Sequence, residues 1–122
     1  MAINVKAVLV DDANAVSNIT NLSISGLVVN GAKYKVATKT ANYTAGATDD
    51  IILCNNSTGF TISLPAASGS GKVYNIKDIN TAAITIDANV SGGTIDGELT
   101  QEISQWENIT LVDYSAGKWG IL

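Results

Sequence analysis

The stretch ISLPAASGSGKVYNIKD, residues 62–78, joins two apolar, strand-like runs through a loop of small residues that ends in Gly-Ser-Gly-Lys. Two structures compete for it. A phosphate-binding loop needs Gly, four residues, then Gly-Lys-Ser/Thr at the start of a helix. With Gly71 and Lys72 in the second-glycine and lysine places, the first glycine place holds Ala66 and the hydroxyl place holds Val73. The run that follows, VYNIKD, reads as a strand, so there is no helix N-terminus to hold an anion. The loop is therefore expected to be a connection between strands. Pro65 ends the first strand by removing an amide donor, and Gly69 and Gly71 let the chain turn before it re-enters the sheet.

Working outward, the same alternation recurs. In FTISL (60–64), Phe60, Ile62 and Leu64 face one way, and Thr61 and Ser63 the other; AITID (83–87) repeats this with Ile84 and Ile86. Further strands are expected at DIILCN (50–55), KVYNIKD (72–78), LTQEIS (99–104), NITLVDY (108–114) and KWGIL (118–122). Upstream, INVKAVLV (3–10) reads as a strand. Residues 21–38 read as a β-hairpin about Asn30-Gly31, a pair that tolerates the positive φ of a tight primed turn. The polar run 39–50 marks a boundary between a segment 1–42 and a module 43–122. No segment carries a sustained helical period. The expected fold is all-β, with short antiparallel strands in a β-sandwich or jelly-roll-like module, assembled as a trimer. An intertwined β-prism is the alternative.

The chain has 122 residues, of which 46% are hydrophobic and only 15% charged. A domain this small buries only about two-thirds of its unfolded surface. Some apolar surface is therefore expected to meet a partner. Net charge is −4, and all seven basic residues are lysines. Nucleic-acid binding calls for a basic footprint, usually with arginine forks, so neither DNA nor RNA is expected as a partner. Histidine is absent and Cys54 is the single cysteine. Imidazole-based triads, Cys-His dyads, thiolate zinc sites and an intrachain disulfide are thereby excluded. Cys54, in the run IILC, is expected to be a small buried hydrophobe. No apolar stretch has the length of a membrane span. The start, MAINVKAVLVDD, lacks the flank and centre of a secretory signal, so synthesis in a cytoplasm is expected.

Carboxylates are the remaining catalytic candidates: Asp49 and Asp50 before a strand, Asp87 at a strand end, and Asp96 and Glu98 around Gly97. Their expected role is to cap turns and keep the surface soluble. No enzyme activity, cofactor or metal site is expected. Among the aromatics, Trp119 in KWGIL is expected to pack at the end of a sheet. Trp106 in SQWEN, between two strands, and Tyr114 are the candidate surface-contact residues.

The runs YT (43–44), DDIILC (49–54), TGFTISLPAAS (58–68), VYNIKD (73–78), ITID (84–87), TIDG (94–97) and NITLVDYSAGKWGIL (108–122) follow one another in an order and spacing that resemble a β-rich module of bacteriophage virion proteins. That module occurs in fibres, spikes and head-surface proteins. The resemblance implies a trimeric structural component, made in the host cytoplasm and carried on the virion, with no catalytic residues. A short chain of this kind suits a capsid decoration or head-fibre protein. Its expected partners are copies of itself and a major capsid or other virion protein, and no membrane. The alternative is a tail-fibre, receptor-binding or carbohydrate-binding module that contacts a host-surface glycan.

Overall fold

Alternation of apolar and polar residues from Val36 onward builds ten short strands, which the computed structural model places in two sheets; it describes residues 31–122. The strands are β1 Val36–Lys39, β2 Tyr43–Thr44, β3 Ile51–Cys54, β4 Thr61–Ser63, β5 Val73–Asp78, β6 Ile84–Asp87, β7 Thr94–Ile95, β8 Thr100–Ile103, β9 Asn108–Ser115 and β10 Lys118–Ile121. One sheet has the order β1-β3-β5-β9-β10-β7, the other β2-β4-β6-β8. The all-β, sandwich-like expectation holds. All seven strands expected between residues 50 and 122 are present. The strand at 3–10 and the first half of the hairpin at 21–38 lie outside the described residues. Within its second half the strand begins at Val36, as β1, which is hydrogen-bonded to β3 and so joins the same sheet as the module after residue 43.

The antiparallel expectation is corrected. Among the described residues, five pairings are parallel and three antiparallel. From β1 to β6 the chain crosses between the sheets at every step, so each strand returns parallel to the one two places earlier. A parallel neighbour needs a long crossover, and here the crossover is a strand of the opposite sheet. The result is a three-turn coil, with Ile52 on Ile76 in one sheet and Ile62 on Ile86 in the other. After β6 the pattern changes. β8 closes one sheet antiparallel to β6, and β9 runs antiparallel to β5.

The core lies between the sheets. Ile52, Ile76, Ile109 and Leu111 come from one side, and Ile62, Leu64, Ile84, Ile86 and Ile103 from the other. Trp119, expected at a sheet end, is instead a core residue, 1% exposed. Its ring lies 5.6 Å from that of Tyr74, and its indole N–H reaches the Pro65 carbonyl at 3.2 Å. The Tyr74 hydroxyl likewise donates to the Gly46 carbonyl at 2.8 Å. Both large rings thus bury their bodies while their polar tips find acceptors at the margin. Among the described residues no helix is long and apolar enough to cross a membrane.

Candidate functional site

Strand β3 is apolar on both faces. Ile52 and Cys54 point into the core, so Ile51 and Leu53 must point out. Register extends that outward set across the six-stranded sheet: Val36, Ile51, Asn75 and Thr110 form one row, and Thr38, Leu53, Lys77 and Asn108 the next. Val73, Val112 and Gly120 form a third row. Val36 is 56% exposed and Val73 41%. Tyr34, 74% exposed, helps wall a groove of about 260 Å³ whose floor includes Ile51, Val73, Asn75 and Thr110. The opposite sheet is different. Its outward residues are Thr44, Thr61, Ser63, Thr85, Asp87, Thr100 and Glu102. One outer face of the sandwich thus carries five aliphatic side chains, Val36, Ile51, Leu53, Val73 and Val112, among as many polar ones, and the other is polar throughout.

Both contact candidates named from sequence adjoin the outer face of the six-stranded sheet. Tyr114 is outward on β9 and 56% exposed. Its ring covers Gly120, where an added Cβ would stand 3.1 Å from Cδ1. Trp106, 63% exposed, lies in the turn between β8 and β9 with φ +69°, a left-handed backbone that a bulky residue holds only when its surroundings impose it. The surroundings do so here. The Trp106 amide donates to the Asp78 carbonyl at 2.9 Å, and the outward Lys77 ammonium donates to the Trp106 carbonyl at 2.8 Å. Glu107 N–H donates to Ser104 O, and the Ser104 amide donates to the Glu107 carboxylate at 2.8 Å.

The loop at 65–72 does hold an anion, and that anion belongs to the chain itself. The carboxylate of Asp113 on β9 accepts from the Ser68 amide at 2.9 Å, the Gly69 amide at 2.7 Å, the Ser70 amide at 3.3 Å, and the Ser68 and Ser70 hydroxyls at 3.3 and 2.6 Å. Successive amides of a turn make such a nest. Burial works to raise the Asp113 pKa, but the Ser70 hydroxyl and the amides of Gly69, Ser68 and Ser70 outweigh it and hold the carboxyl at about 2. Beside the loop is a depression of about 290 Å³ that includes Pro65, Lys72, Tyr74 and Trp119.

Asp49, Asp50 and Asp87 are also engaged locally. Asp50 accepts the Lys35 amide at 2.8 Å and pairs with Lys72 at 3.1 Å; the amide first, then the ammonium, keep its carboxyl below the usual range. Asp49 accepts the Tyr43 hydroxyl at 2.6 Å and the Gly46 amide at 2.8 Å, and lies 3.5 Å from Lys35. Asp87 precedes the N-cap Ala88 of the 3-10 turn Asn89–Ser91 and accepts the Asn89 and Val90 amides at 2.7 and 3.2 Å. Asp96 lies in the turn between β7 and β8 with φ +47°. Among the described residues no group of three or more carboxylates or thiols could hold a metal ion.

No protein-family model matches this chain, and no curated protein or solved structure matches it either.

Sequence reasoning did not find Asp113 or the outward pair Ile51 and Leu53 as features. The pair had a signal, an apolar run with no polar alternate in IILC. Asp113 had none, because its loop partners lie more than 40 residues away. Cys54 is buried as expected, and burial, with the negative Asp78 beside it, pushes its thiol up to about 12.

Proposed function

We propose that the chain is a bacteriophage virion structural protein, a capsid decoration or head-fibre protein that binds the particle surface as an oligomer. The observation that carries this reading is the set of outward aliphatics, Val36, Ile51, Leu53, Val73 and Val112, on the outer face of the six-stranded sheet, on a module whose sister sheet is polar outside. Apolar surface collected on one face marks association rather than solubility. Three of the five acids singled out as catalytic candidates support the same reading, since Asp49, Asp50 and Asp87 are committed to amides, a hydroxyl and lysines. The proposal gives the chain no reaction to perform. Of the segment 1–42, β1 belongs to the module's own sheet, so the residues before it would supply attachment or extend the oligomer, and the module would project.

The test is co-sedimentation of the purified full chain with particles from the same source that have been stripped of it. Saturable binding at a fixed ratio to the shell protein is expected, and loss of binding in a variant without residues 1–20. A chain that stays wholly in the supernatant would refute the reading. Trp106, rigidly held and exposed, favours one second reading, contact with a host-surface glycan through ring stacking. A glycan array with the full chain and with Trp106→Ala decides between them.

A further inference from the structure

We infer that Trp106, Lys77 and Asn108 form one shallow site for an acidic saccharide, with the indole beneath the sugar ring and the Lys77 ammonium on its carboxylate. The inference rests on the glycan reading of Trp106 above. It adds the class of sugar and the residue that selects it.

The first observation is strain. Trp106 keeps a left-handed backbone at φ +69° while its ring is 63% exposed. Glycine or asparagine would hold that turn at less cost. A bulky ring kept there and left in water serves what it touches outside the chain.

The second is charge. The Lys77 ammonium donates to the Trp106 carbonyl at 2.8 Å, which places it beside the base of the indole. An ammonium has three donors, and this bond uses one. The ion pairs among the described residues are Lys35–Asp49 and Lys72–Asp50, so within them Lys77 has no acid partner. The acids next to it in the chain and in the turn are committed elsewhere. Asp78 is buried on the inner face of β5, and the Glu107 carboxylate accepts the Ser104 amide at 2.8 Å. A cation without a counter-charge, beside an exposed ring, selects a ligand that carries a carboxylate.

The third is placement. Lys77 on β5 lies directly opposite Asn108 on β9, so the two side chains are neighbours on one outer face. Asn108 is exposed and brings an amide that can both donate to and accept from hydroxyls. Two strands and a pinned turn thus fix all three groups, a ring flanked by an ammonium and an amide. That set matches a pyranose whose C–H face stacks while its carboxylate and hydroxyls reach the polar pair.

The test is titration of the full chain, read by indole fluorescence and calorimetry. The acidic probes are sialyllactose and trigalacturonate, and the neutral probe is lactose. An acidic probe should bind saturably, at least about tenfold tighter than lactose, and more weakly at high salt. Trp106→Ala should abolish binding. Lys77→Gln should bring the acidic probe down to the level of lactose, and Lys77→Arg should keep the preference. Lys118→Gln, on β10, should bind as the wild type does. Circular dichroism separates lost binding from lost fold. Lactose bound as tightly as the acidic probes, or a Lys77→Gln variant that weakens all three alike, would overturn the acidic class and leave the glycan reading standing. So would a loss of the same size in Lys118→Gln. Binding that survives Trp106→Ala would overturn the site itself, and a chain that binds no saccharide on an array would refute the glycan reading with it.

Discussion

A single carboxylate ties the loop at 65–72 to the body of the sheet. Asp113→Ala removes five donors' worth of charge-assisted hydrogen bonding. The exposed loop amides can turn to water, which limits the loss to about 2 kcal/mol, or roughly 8 °C of melting temperature in a domain of this size. Thermal unfolding measured at pH 7 checks the figure. The same bond fixes a pH dependence. The Asp113 carboxyl titrates at about 2 in the folded chain against an ordinary value of 3.8. Its contribution is therefore complete above about pH 4 and disappears as pH falls through about 2. In Asp113→Ala that acid-side decline should be shallower, a comparison that urea titrations between pH 2 and 5 would make. Cys54 gives a second prediction. Buried, with its thiol raised to about 12, it should resist iodoacetamide at pH 8 until the chain unfolds, so its labelling rate should follow global stability. The buried state of Cys54 was readable in its apolar run; the Asp113 bond was not, because nothing local marks a loop's distant partner.

At the level of elements, strands were legible and their direction was not. Side chains alternate identically along a strand whether its neighbour runs parallel or antiparallel, so FTISL and AITID disclose their inward faces and nothing about pairing. A different signal existed. Ile52 recurs at Ile76, Asn56 at Asn80, Thr61 at Thr85 and Ile62 at Ile86, all 24 residues apart, and register places Ile52 on Ile76 and Ile62 on Ile86. Internal recurrence at fixed spacing is the mark of a coiled β architecture. Strands β2 and β7, two residues each, are too short for any period to reveal. The recurrence also explains one glycine. Gly59 corresponds to Ala83 one turn on; it holds φ +74°, and a Cβ there would come 2.7 Å from the Ala83 carbonyl oxygen. Gly71 has a similar φ of +78° but open space around it. Gly59→Ala should therefore cost about 3 kcal/mol, from left-handed backbone strain plus displacement of the next turn, and Gly71→Ala only about 1 kcal/mol. Chemical denaturation of the two variants side by side tests the difference.

For the whole molecule, composition said more than pattern. A chain 46% hydrophobic and 15% charged has more apolar surface than so small a body can hide, and the structure gathers exposed valines and a tyrosine on one sheet face. What composition could not supply was which face, since that depends on β3 being apolar on both sides. The coil has a consequence of its own. Its turns stack at the strand spacing of about 4.8 Å, and the antiparallel strands β8 and β9 stand at one end only. Growth by duplication is thereby one-ended. Its storeys need not be equal: Ala37 lies on Ile52 across 15 residues and Tyr43 on Ile62 across 19, whereas Ile52 lies on Ile76 and Ile62 on Ile86 across 24, so the connections between sheets take up the difference while the inward columns stay aligned beneath a fixed roof.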